Sequence, residues 1–114
     1  SPGMLDRHYA PNAPALRFVD SQWNQVAARL EHSHRAVVLT FEPRPLNSTQ
    51  HSLVILPHDA GACAAALYAL LREADAAKPD LIAIESPNPA RLTADPRWFA
   101  VADRINRAAT TIGP

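Results

Sequence analysis

The sequence predicts a small three-layer α/β domain, with about four mainly parallel strands and three helices, on three observations. Leu53, Val54, Ile55 and Leu56 form one short apolar run, and Leu81, Ile82, Ala83 and Ile84 form another. Uninterrupted runs of this length, rather than alternation, mark strands buried on both faces. Between them the period becomes helical. Ala60, Cys63, Ala64, Leu67, Leu70, Leu71 and Ala74 share one side, while Arg72, Glu73, Asp75 and Ala76 take the other. Two buried strands joined by a crossover helix are parallel and connected right-handed, the unit from which Rossmann-like sheets are built.

The other elements are placed around that unit. Residues 1–14, with three prolines and a glycine, have too little apolar content for a helix or strand and read as an extended arm, leaving residues 15–114 as the folded domain. The opening Ser-Pro-Gly-Met suggests a segment that follows something else in a longer chain. Residues 15–19 form a first strand, and Asp20 or Ser21 caps a helix whose Trp23, Val26, Ala27 and Leu30 make one apolar face ending near His32. The β-branched run RAVVLTF, residues 35–41, is the next strand. Residues 42–52, with two prolines, are either a surface loop or contain one helical turn. In the central unit Asp59 caps the helix and Pro79 stops it. Residues 86–94 read as a loop. Asp95-Pro96 then starts a last helix carrying Trp98, Val101, Ala102, Ile105, Ala108 and Ile112 on one stripe, with Phe99 off it.

Composition narrows the function classes. The 114 residues suffice for one domain. Eleven basic residues balance eleven acidic ones, so no overall field draws in nucleic acid or an anionic membrane, and no direct nucleic-acid binding is expected. Cys63, the single cysteine, falls on the apolar helix stripe and reads as a buried thiol. Without a partner it forms no internal disulfide, which favours an intracellular, cytoplasmic setting. No apolar segment approaches the ~20 residues of a membrane helix, and no signal-peptide pattern is present.

Reactive constellations are hard to find. Three glycines, at 3, 61 and 113, cannot make a dinucleotide fingerprint or a phosphate-binding loop. The turn Pro57-His58-Asp59-Ala60-Gly61 offers a helix N-terminus, so His58, Asp59 and Gly61 form a candidate anion site, the alternative being an ordinary capped turn. Five histidines, two of them at 32 and 34, lack the spacing of a zinc site, and no metal ligand set is assigned. Glu85 at a strand end, or Asp59 with His58, could serve in acid/base work, but such carboxylates are routine. Arg97, Arg104 and Arg107 read as a solvated helix face.

A family resemblance supplies what periodicity does not. The arm SPGMLDRHYAP is similar to the linker that follows the YrdC-like catalytic domain of two-domain threonylcarbamoyl-AMP synthases. LPHDAGACAAALYALLREAD, DLIAIESP and AVADRINRAA resemble their small C-terminal domain. Such synthases make threonylcarbamoyl-adenylate from threonine, bicarbonate and ATP, with Mg, for modification of adenosine 37 in transfer RNA. The Lys-x-Arg and Ser-x-Asn elements of their catalytic domain are missing, since Lys78 is the one lysine. The resemblance therefore implies a noncatalytic accessory domain with no catalytic residue and no cofactor of its own. Its partner is a YrdC-like catalytic domain in cis, with other tRNA-modification factors as further candidates. It carries Ser1, Pro2, Gly3, Met4, His8, Tyr9 and Pro11 over as the arm that crosses the active-site mouth. From Asn88 to Phe99 the chain departs from the family, which often has a Gly-rich turn there. Two readings of other classes remain open, an independent nucleotide- or metal-binding module around His58 and Asp59, and a protein-interaction domain presenting Phe99.

Overall fold

The computed structural model describes residues 10–113. Five strands form one sheet, all parallel, in the order β3-β2-β4-β1-β5. They are β1 (Ala15–Phe18), β2 (Ala36–Thr40), β3 (Ser52–Ile55), β4 (Leu81–Glu85) and the two-residue β5 (Thr110–Thr111). The helices are α1 (Trp23–Glu31), α2 (Ala60–Ala76), α3 (Pro89–Ala94) and α4 (Trp98–Ala108).

The two buried strands sort their side chains by alternation. Val37, Leu39, Ile82 and Ile84 point to the face covered by α2 and α4, where Cys63, Leu67, Leu71, Trp98, Val101 and Ile105 meet them. Ala36, Val38, Leu81 and Ala83 point to the opposite face, against Val26, Leu30 and Phe18. Steps from β1 to β2 to β3 move one way across the sheet, and their connections cover the α1 face, where Leu46 of the β2–β3 loop packs. Steps from β3 to β4 to β5 move back, and their helices cover the other face. Direction and face reverse together, so every crossover has the same hand, as parallel connections require.

Several expectations are corrected in detail. Neither Asp20 nor Ser21 caps α1 through its side chain. Residues Asp20–Gln22 form a tight 3-10 turn, and Gln22 reaches back so that its Oε1 accepts the Val19 N–H at 3.0 Å. Residues 42–51 form a loop without a helix, closed by one hydrogen-bonded turn in which the His51 N–H donates to the Ser48 carbonyl at 3.3 Å. The loop read between residues 86 and 94 holds α3. Asn88 Oδ1 accepts the Arg91 N–H at 2.8 Å with Pro89 in the first turn, so Asn-Pro starts a helix here. Asp95 then opens a turn in which its carboxylate accepts the Arg97 N–H and its carbonyl the Trp98 N–H, placing the start of α4 at Trp98. Ile112 is not on the last helix. Thr110 and Thr111 pair with Leu16 and Arg17, and this fifth strand carries Ile112 onto the α1 face.

The β2–β3 loop is fixed by His51, which is buried. Its Nδ1 lies 3.0 Å from the Ala36 N–H and so accepts, which leaves Nε2–H to donate to the Leu30 carbonyl at 3.1 Å. One side chain thus ties the last turn of α1, through the Leu30 carbonyl that Ser33 N–H also reaches, to the first amide of β2. Asp80 fastens the same corner from β4, accepting the N–H groups of His34 at 2.8 Å and Arg35 at 3.0 Å. These bonds, the His34 bond foremost, hold the Asp80 carboxyl below its ordinary value of 3.8. A carboxyl depressed by folding stabilises above its unfolded value and loses that contribution as pH falls through the folded one. Asp80→Asn is therefore expected to lower the thermal midpoint at neutral pH, with the gap to wild type closing in acid below about pH 4. Melts of both proteins across that range check it, and a gap independent of pH contradicts it.

Candidate functional site

Because all strands run one way, the domain has two chemically distinct edges. At the carboxyl ends, Glu85 closes β4 with its carboxylate buried, and its Oε1 accepts the Phe41 N–H at 3.0 Å. Arg44 reaches over from the β2–β3 loop, its Nη2 3.4 Å from Glu85 Oε2 and 2.6 Å from Asp20 Oδ1. Its guanidinium carbon stands 5.0 Å from the Trp23 ring centre, while Nε is buried without a hydrogen-bond acceptor. A guanidinium can use its flat face in this way when its edge is engaged by carboxylates.

On the α2 face of the same edge lie the sequence candidates His58, Asp59 and Gly61. The structure brings these three together, but against the protein's own groups. His58 Nε2 is hydrogen-bonded to the Phe41 carbonyl at 2.6 Å and stands 3.9 Å from Glu42 Oε1. Asp59 caps α2 itself, Oδ2 accepting the Ala62 N–H at 2.8 Å. Arg97 pairs with Asp95 at 2.8 Å and approaches Asp59 at 3.7 Å. A Cβ added to Gly61 would lie 3.0 Å from Arg97 Nη1, so Gly61 allows that guanidinium over the helix start. Hydrogen bonding to Arg97 lowers the Asp95 carboxyl below its ordinary range.

Arg91, which the sequence gave no reason to single out, stacks its guanidinium 4.1 Å from the Phe41 ring centre and 5.2 Å from that of Trp98. Its charge opposes but does not cancel the effect of burial on Cys63, whose thiol is pushed up to about 11. Cys63 therefore sits in the core as a protonated thiol rather than as a nucleophile. Among the described residues no group of three or more His, Cys, Asp or Glu side chains is placed to hold a metal ion. Arg104 donates to the Ala64 carbonyl at 2.7 Å and Arg107 pairs with Asp103 at 3.2 Å, so, with Arg97 on Asp95, all three arginines of the solvated-face reading have partners within the domain.

The amino ends are organised by Asp75. Its Oδ2 accepts the Asn12 N–H and its Oδ1 the Ala13 N–H, each at 3.0 Å, so one carboxylate grips two successive amides where the arm enters β1. The helical period puts Asp75 on the solvent side of α2, and in the structure it is half-buried beneath Asn12 and Ala13. An open groove of about 770 Å³ runs beside it, lined by Asn12, Pro14, Arg72 and Lys78 among others. Lys78 adopts φ of +54°, a left-handed helix end more often given to glycine. Pro11 borders a second groove at this edge. Of the arm candidates, Ser1, Pro2, Gly3, Met4, His8 and Tyr9 lie outside the described residues. Pro11 and His58 therefore occupy opposite edges of the sheet.

These features define an all-parallel α/β domain with Asn12 and Ala13 held on Asp75 at the amino edge and with a carboxyl edge filled by its own ion pairs. Residues 1–110 match the family described as threonylcarbamoyl-AMP synthase, C-terminal domain, and the chain belongs to that family. Neither the curated proteins nor the solved structures gave a match. Among the described residues no helix is long and apolar enough to cross a membrane.

Asp75→Ala is expected to free both arm amides while leaving the sheet intact. The Asn12 and Ala13 amide hydrogens should then exchange at least about tenfold faster, with a stability loss of ~1–2 kcal/mol for two bonds. Hydrogen exchange read residue by residue checks this, and unchanged exchange at both amides would contradict the clamp.

Proposed function

We propose that this chain is the noncatalytic accessory domain of a threonylcarbamoyl-AMP synthase, acting in the biosynthesis of threonylcarbamoyladenosine at adenosine 37 of transfer RNA. In this reading residues 1–14 are the interdomain arm and residues 15–114 the accessory domain. A YrdC-like catalytic domain in cis binds ATP, threonine and bicarbonate, with Mg, and forms the bonds. Ser1, Pro2, Gly3, Met4, His8, Tyr9 and Pro11 lie over its active site as a lid. Lids of this kind exclude water and set how long substrate stays bound.

The observation that carries the proposal is the double hydrogen bond from Asn12 and Ala13 to Asp75. A lid works only if one end is held. Two adjacent amides on one carboxylate fix both the position and the direction in which the arm leaves the domain. The family match supports the reading further, because it covers the arm together with the α/β part. The competing nucleotide- or metal-binding module has less in its favour, since Asp59 and Arg97 already occupy the start of α2.

The chain alone is expected to release no threonine-dependent pyrophosphate from ATP, and turnover by it would overturn the proposal. In the full-length synthase Tyr9→Ala should raise the KM for threonine or ATP, whereas unchanged kinetics would reduce the arm to a passive connector.

A further inference from the structure

We propose, on the basis of the accessory-domain reading, that the groove at the amino edge is the face on which the preceding domain of the synthase docks, seating one of its carboxylates against Lys78. The root of the arm is itself one wall of this groove. Asn12 and Pro14 stand on that side, with Arg72, Asp75, Lys78 and Pro79 on the other, around an open volume of about 770 Å³. The Asp75 carboxylate holds the Asn12 and Ala13 amides at 3.0 Å, and Pro14 and Pro79 have fixed φ, so both walls are built before anything enters. A preformed site loses little free energy to ordering when it binds.

The tether decides which surface the preceding domain meets. In the accessory-domain reading residues 1–11 lie between that domain and the Asn12 clamp, and they span at most about 40 Å when extended. The described domain measures 35 × 33 × 25 Å, so its neighbour is held close to the arm's root. Short tethers raise the local concentration of a partner to about the millimolar range. Contacts too weak to join two separate proteins then suffice.

Lys78 marks the contact. It is the one lysine of the chain, it is exposed, and among the described residues no acceptor pairs with its ammonium group. Its φ of +54° is a conformation that glycine adopts freely and that a residue with a Cβ resists. Backbone strain of this kind persists where the side chain serves more than the local fold. The surrounding charges favour an anion. Arg72 lines the same wall, and Arg35 reaches the same turn, donating to the Ala77 carbonyl at 3.1 Å. The acidic neighbours Asp75 and Asp80 are each engaged by two backbone N–H groups, and Glu73 lies on the β3 side of α2. Three cations therefore stand with two carboxylates already bonded, and a carboxylate on the incoming surface complements them.

Hydrogen exchange of the full-length synthase, set against that of residues 1–114 alone, reads the docking directly. The Ala77 and Lys78 amides should exchange at least about tenfold more slowly in the full-length protein, and Lys78→Glu should remove the difference. In residues 1–114 alone Lys78→Gly should raise the thermal midpoint by about 4 °C, yet in the full-length protein it should lose the protection as Lys78→Glu does. Phe99→Lys, at an exposed side chain near the start of α4, should leave the protection intact. Equal exchange in the two proteins overturns the proposal. So does protection that survives both Lys78 variants, or a midpoint that falls in Lys78→Gly, which would make the lysine part of the domain's own fold. Protection of the same amides in residues 1–114 alone by inorganic phosphate overturns it too, by making the groove a small-anion site. The comparison of the two unaltered proteins depends on no variant folding and on no turnover, so equal exchange there leaves the accessory-domain reading standing.

Discussion

The pairing of β4 with both β2 and β1 is the interaction on which the rest of the structure depends. All five of its residues are buried, so Leu81–Glu85 has helices over both faces and a strand at each side. Its register is set by two carboxylates, one at each end. Asp80, just before the strand, takes the amides of His34 and Arg35 ahead of β2, and Glu85, its last residue, takes the amide of Phe41 just beyond β2. A slip of one residue would break both ties and turn the alternating core side chains to the wrong faces.

From that centre the two edges acquire different chemistry. The carboxyl edge of a parallel sheet is where ligands usually bind. Here that edge carries Arg44 with Asp20 and Glu85, and Arg97 with Asp95 and Asp59. The amino edge, normally the quiet side, holds the amides of Asn12 and Ala13 on Asp75.

The sequence made the core legible because buried strands and amphipathic helices leave apolar periods. The runs at Leu53 and Leu81, the stripe from Ala60 to Ala74 and the Asp59 cap lie where the spacing placed them, but the Leu53 run, expected to be buried on both faces, is the sheet's edge strand with Ile55 exposed. What stayed hidden was of two kinds. Short elements such as α3 and β5 bury too few residues to show a period, and the prolines around Asn88 read as loop although Asn-Pro also opens helices. Long-range polar contacts were the second kind. Nothing local distinguishes Asp75 from Glu73, or His51 from His32; the partners of Asp75 and His51 lie 62 and 21 residues away and exist only once the sheet is assembled. His58, Asp59 and Gly61 are neighbours in sequence, while Arg97, which lies over Gly61 and beside Asp59, comes from the turn before α4, which the local motif cannot include.

The central claim is that the domain acts by fixing where its arm departs. The most direct measurement inserts a flexible Gly-Ser segment between Pro11 and Asn12 of the full-length synthase, leaving every side chain of arm and domain in place but uncoupling one from the other. The account predicts a normally folded protein whose KM for threonine or ATP rises as it does when the lid residue itself is removed. Wild-type kinetics in that insertion protein would contradict it.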